Sequence, residues 1–220
     1  MGAFVPWQDY YLWAGLGILL LNSYHLFRQR TLADKSTLIF NHLLIRGILI
    51  CVLGIINNYL LAHNQMYAPS LILGITTVLY IVQVLLPWEF LQLIFVRMNL
   101  SANKRKLYTK IATATVLFFI AAILLNIPLG FIAYMEVNNY LYHGPYYYFF
   151  ASAILAWHIC NCLFIILKHN KFFNNDAIIL IESCIILIIG AFLQYHLHIS
   201  HTFGFAVALS IMSMQLTMSC

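Results

Sequence analysis

The chain has 220 residues, 63% of them hydrophobic and only 8% charged, with a formal net charge of +5. Soluble domains carry about a quarter charged residues, and a water-facing surface cannot be made from so few. The composition therefore excludes an ordinary soluble domain and points to the bilayer. All five cysteines, Cys51, Cys160, Cys162, Cys184 and Cys220, lie in apolar stretches, so no extracellular disulfide framework is expected.

The opening "MGAFVPWQDYYLW" has no basic n-region, and Asp9 precedes the first apolar run, so it does not read as a cleavable signal. A hydrocarbon core of about 30 Å takes about 20 apolar residues per helix. In chain order the spans expected are 10–27, 38–62, 69–96, 111–131, 146–167, 177–195 and 202–220. The third is long enough to tilt, or to bend at Pro87. No repeat or linker interrupts the series, which predicts one all-α domain over 1–220, an integral membrane bundle of seven transmembrane helices.

Basic residues set the orientation. Arg28, Arg30 and Lys35 follow span one, Arg97, Lys104, Arg105, Lys106 and Lys110 follow span three, and Lys168 and Lys171 follow span five. The loops on the other side contain no Lys or Arg. The positive-inside rule then puts the N-terminus outside and the C-terminus in the cytoplasm. Basic loops beside anionic lipid account for the net charge, so the bilayer is the expected partner and nucleic acid is not.

The longest outer loop falls between spans four and five and reads "GFIAYMEVNNYLYHGPYYYFF" with the start of span five. Its tyrosines suit the membrane interface, and Pro145 suits a first helical turn. The stretch reads either as an interfacial belt or as a lid over an outward-facing pocket. A ligand pocket in the outer half would be ringed by Trp13, Tyr59, Tyr134, Tyr140, Tyr146, Tyr195 and His198.

Charged side chains in hydrocarbon are costly and usually face partners inside a bundle. At about 1.5 Å per residue, Arg46 lies about 12 Å from the basic boundary, Glu89 about 10 Å and Glu182 about 8 Å. His158 and Asn161 fall in the same third, and His42 shares a helix face with Arg46. The expectation is a polar layer built on an Arg46–Glu89 ion pair, with Glu182 as competing partner. It serves either to staple helices or to switch between pairings.

His196, His198 and His201, with His63 and His143 on other outer loops, have a spacing that could bind a transition metal or heme or sense pH, but with no thiolate or carboxylate beside them they read first as unliganded imidazoles in a wet loop. The C-x-C of Cys160 and Cys162 reads as helix packing. No nucleotide, phosphate, metalloprotease or serine-hydrolase motif is present, and Asp9, Asp34 and Asp176 all lie at span boundaries. Neither catalysis nor a cofactor or metal is expected in this chain.

Three stretches carry a resemblance: "FIAYMEVNNYLYHGPYYYFFASAI", with its Gly-Pro and aromatics at the start of span five; "IIGAFLQYHLHIS", a sixth span ending Gly-x-x-x-Gln; and "FGFAVALSIMSMQ", the last span. In layout the chain resembles the N-terminal seven-helix membrane region that precedes diguanylate cyclase (GGDEF) or histidine-kinase domains in bacterial signalling proteins. The resemblance implies a multi-pass sensor in the bacterial cytoplasmic membrane. It would read an external or membrane-borne cue, a small molecule, lipid or peptide, and pass it through span seven to a dimeric output enzyme. A diguanylate cyclase is the first expectation for that enzyme. The ending "QLTMSC" has no basic flank, which suggests that the polypeptide continues past Cys220. The alternatives are the membrane region of a peptide-sensing histidine kinase, and a small transporter or its substrate-binding subunit. Against the transporter stand the off-centre polar layer and the lack of repeats.

Overall fold

The computed structural model describes residues 10–29, 35–98, 100–136, 141–172, 176–197 and 202–218. Among these residues seven α-helices follow one another: α1 (Tyr10–Gln29), α2 (Lys35–Ala62), α3 (Pro69–Arg97), α4 (Ala102–Leu129), α5 (Tyr147–Leu167), α6 (Asp176–Tyr195) and α7 (Thr202–Met218). Between α4 and α5 stand two short strands, β1 (Ala133–Met135) and β2 (Leu141–His143). Five of the helices, α2 to α6, are long and apolar enough to cross a membrane.

The expected spans coincide with these helices to within a few residues except at α4, which begins at Ala102 and not at 111. "NKRKLYTK" is therefore helix and not loop. Ser101 takes the extended conformation of an N-cap, and nothing between it and the apolar run breaks a helix. Two further ends follow simple chemistry. Pro69 occupies the first turn of α3, where a missing amide costs little. Gly130 closes α4 at φ +62°, a conformation open to glycine without steric cost.

Successive helices run antiparallel, so one end of the bundle carries the basic residues and the other carries the hairpin. At the basic end Arg97 of α3 pairs with Asp176 of α6 at 3.5 Å, and Met98 bridges to Phe172 after α5. Helices α1, α2, α3, α5, α6 and α7 form a ring in that order, with α2 also against α7. Helix α4 stands outside it, packed along α3 and not closely on α5.

The bundle is apolar on its outside as well as in its core. Large apolar side chains cover the outside, with Phe118 68% exposed and Phe149 71%. Neutral amides and hydroxyls sit inside and join helices in pairs. Thr76 donates to Asn57 Oδ1 at 2.8 Å, Tyr195 to Gln83 Oε1 at 3.0 Å, Thr202 to the Gly190 carbonyl at 3.2 Å and Gln215 to the Asn22 carbonyl at 3.4 Å. An apolar exterior over polar interhelical bonds is the arrangement that a lipid solvent favours. Small residues permit the closest approach: a Cβ placed on Gly190 would lie 2.2 Å from the Cβ of Ala206, so α6 and α7 meet almost backbone to backbone.

The aromatic stretch between α4 and α5 is a folded cap. Strands β1 and β2 pair antiparallel, Ala133 opposite His143 and Tyr134 opposite Tyr142, with the two tyrosine rings stacked at 5.8 Å. Buried Asn126, on the last turns of α4, holds the cap down. Its Oδ1 accepts from the amides of Ile132 and Ala133, at 2.5 and 3.1 Å, and its Nδ2 donates to the Ala133 carbonyl at 2.9 Å. Ile132 and Ala133 are themselves buried, and β1 also packs on α3. Gly144 closes the strand pair where a Cβ would strike the Phe131 carbonyl.

Replacing Asn126 with Ala should strip three buried backbone groups of their partner, at about 1–3 kcal/mol for each left unpaired. Hydrogen exchange resolved to residues 131–135 is expected to show the Ile132 and Ala133 amides losing protection, while α1 and α2 keep theirs. Unchanged protection would mean that the strands, not Asn126, hold the cap.

Candidate functional site

The polar layer at the basic end assembles around α3. Helix α2 presents Arg46 and His42 on one face, and both reach Glu89: Arg46 Nε lies 2.5 Å from Glu89 Oε2, and His42 Nδ1 lies 4.0 Å from Oε1. The Glu89 side chain is 3% exposed and that of Arg46 is 23%, so the carboxylate is enclosed and the guanidinium reaches toward the surface. The contact is an ion pair, and neither Arg46 Nε nor Glu89 Oε2 has a hydrogen-bond partner among the described residues.

Two residues before Glu89, Pro87 lies inside α3, which runs on past it as one helix. Its ring removes the amide that would bond the carbonyl of Gln83. From α5, Asn161 Nδ2 donates to the Pro87 carbonyl at 3.0 Å. Arg46, His42, Glu89, Pro87 and Asn161 thus form one polar joint that ties α2, α3 and α5.

Two members of the expected layer stand apart. Glu182 is exposed. The inward face of α6 is Ile179, Leu180, Ser183, Cys184, Leu187 and Ala191, and at 3.6 residues per turn Glu182 falls on the opposite side. Depth matched it to Arg46, but rotation about the helix axis did not. His158, one turn from Asn161, is fully buried 5.9 Å from the Phe203 ring. Neither of its ring nitrogens has a hydrogen-bond partner among the described residues.

Among the described residues the expected outer aromatics face different ways. Trp13 is 57% exposed, and Tyr59, Tyr134 and Tyr146 also face outward. Tyr195 points the other way, 1% exposed and bonded to Gln83 in the core. Tyr140 and His198 lie outside the described residues. A shared depth does not by itself bring side chains together, since the angle around each helix axis decides which way they face. The described histidines near this end lie against aromatic rings: His143 stacks on Tyr147 at 3.6 Å and His196 on Phe192 at 5.4 Å, and His63 sits tilted against Tyr59 at 4.5 Å. Among the described residues no group of His, Cys, Asp and Glu is placed to hold a metal ion.

A cavity lies elsewhere. Because α4 leans on α3 and stands off α5, a space of about 480 Å³ opens between the three helices, lined almost wholly by apolar groups. Phe95, Tyr108 and Phe164 close it toward the basic end, with ring centroids 5.7–5.9 Å apart. Phe119 and Trp157, 6.1 Å apart, also line it. Asn161, on its wall, is the residue that binds the Pro87 carbonyl. The cavity therefore abuts the polar joint through one side chain. Sequence reasoning assigned Asn161 a depth but no neighbour, and the small residues Ala153 and Ala156 that make room on α5 gave no signal of their own.

No protein-family model matches the chain, and comparison with curated proteins and with solved structures returned no similar protein.

Proposed function

We propose that the chain is the membrane-embedded input domain of a bacterial signalling protein, with seven spans, an outer N-terminus and its basic end in the cytoplasm. It reads a lipophilic cue that reaches the α3–α4–α5 cavity from within the bilayer. The signal passes through α3 and α7 to a cytoplasmic output domain, a diguanylate cyclase or, as the alternative, a histidine kinase, that works as a dimer. The resemblance in layout described above supports the class, and the net charge of the loops supports the orientation.

One observation carries the reading: Asn161 touches both the cavity and the backbone of α3 two residues from the Arg46–Glu89 pair. An occupant that pushes on Asn161 or spreads α4 from α5 perturbs the Pro87 carbonyl, and with it the segment that holds Glu89. The ligand's differential fit to the two arrangements is then the free energy that sets the signal. The apolar lining and the lateral opening favour a hydrocarbon-rich molecule over a water-soluble peptide.

The test is native mass spectrometry of the protein released from its own membranes, together with the variant Ala153→Leu/Ala156→Leu, which fills the space. An apolar species should stay on the wild type and be lost from the filled variant. Output in cells should become unresponsive to the membrane extract that stimulates the wild type. Equal retention on both proteins would sink the cavity as the seat of the cue.

A further inference from the structure

On the other side of α4 from the apolar cavity, a second cleft of about 550 Å³ opens at the basic end between α2, α3 and α4. Each helix contributes one stripe. From α4 come Arg105, Lys106, Thr109 and Lys110, at the i, i+1, i+4, i+5 spacing that shares a helix face; α3 adds Trp88, Glu89 and Gln92, and α2 adds His42. We infer that this cleft is a binding site for a phosphate group, carried either by an anionic phospholipid of the surrounding leaflet or by a soluble phosphate anion.

Charge makes the first part of the argument. Arg105, Lys106 and Lys110 enter no ion pair among the described residues, and the one carboxylate in the cleft, Glu89, is engaged by Arg46. Three cations therefore face one space without a counter-charge. Arg105 and Lys106 also lie about one turn into α4, close to the end where the helix macrodipole is positive and further cations are unfavourable. An anion in the cleft relieves both repulsions.

The second part is a hydrogen-bond donor without a job. Gln92 Oε1 accepts from the Thr109 hydroxyl at 3.5 Å, while its buried Nε2 has no partner among the described residues. A buried amide N–H without an acceptor is uncommon. Beside a guanidinium and two ammonium groups, it is the neutral donor that completes a phosphate cradle. Trp88, held by Nε1 to Thr113 at 3.3 Å, keeps α3 and α4 in register beneath the cradle. The inference stands apart from the lipophilic cue, since the two spaces lie on opposite sides of α4.

Protein in nanodiscs of phosphatidylcholine, with and without phosphatidylglycerol, gives the test through its thermal midpoint, with inorganic phosphate added in a separate arm. Phosphatidylglycerol should raise the midpoint by several degrees, because a ligand that binds only the folded state stabilises it. The rise should vanish in Arg105→Gln/Lys106→Gln and shrink in Gln92→Leu, and persist in Lys168→Gln/Lys171→Gln, which removes the same charge from the same end. A rise with inorganic phosphate alone, lost in the same variants, would assign the site to a soluble anion. Equal loss in both double variants would reduce the effect to general surface charge and overturn the site, as would no rise in either arm.

Discussion

Arg46→Leu should destabilise the protein more than any other substitution at the polar joint, by about 3–5 kcal/mol, the cost of leaving a buried charge without its partner. Glu89 has no escape, at 3% exposure, whereas the Arg46 side chain at 23% already reaches the surface and can snorkel outward when its partner is removed. Glu89→Leu is therefore expected to be the milder change. The double variant should come within about 1 kcal/mol of wild type, since a buried ion pair replaced by packed leucines loses attraction and desolvation cost together. Thermal unfolding of the four proteins in one lipid composition measures this. Strictly additive losses would mean that the two groups do not interact.

The same four proteins separate a staple from a switch. A staple can be exchanged for hydrophobic packing, and the double variant then responds as wild type does. If the pair is the element whose two arrangements carry the signal, the double variant is stable and silent.

The second large effect is expected at Gly190. Gly190→Ala places a methyl 2.2 Å from the Cβ of Ala206, in space already filled, and α6 and α7 must part to admit it. Overpacking of this kind costs about 1–3 kcal/mol and more where backbone has to move. The exchange Gly190→Ala/Ala206→Gly moves the methyl from one helix to the other. It should recover most of the loss, because the nearest remaining neighbours of a Cβ at 190 are the Thr202 carbonyl at 3.3 Å and the Phe203 Cα at 3.5 Å. Failure of the exchange to recover stability would show that α6 and α7 are not held at this contact.

The helices were legible in the sequence because hydrocarbon thickness imposes a length and the loops carry the charges. The start of α4 was not, since "NKRKLYTK" is too polar to score as a span while having every property of a helix that runs on into the interface. Nor was the hairpin: two strands of three residues vanish among aromatics that suit an interface in any conformation. Opposite charges at matched depth announced Arg46 and Glu89, because each needed a partner and few were on offer. Depth alone did not place Glu182 beside Arg46, because the angle around the helix axis decides what a side chain meets. The neutral bonds between Thr76 and Asn57 and between Tyr195 and Gln83 escaped notice because amides and hydroxyls are tolerated in spans and raise no alarm.

If the gap left where α4 stands off α5 is the seat of the cue proposed above, it also fixes what counts as a dose. A solute that enters such an opening from among acyl chains is sampled as a mole fraction of the bilayer, whatever its level in the medium. Added empty vesicles should then dilute it, as buffer dilutes a water-soluble effector. On the reading proposed above, a cell that thickened its supply of lipid would turn down the response without changing the amount of protein or of signal outside.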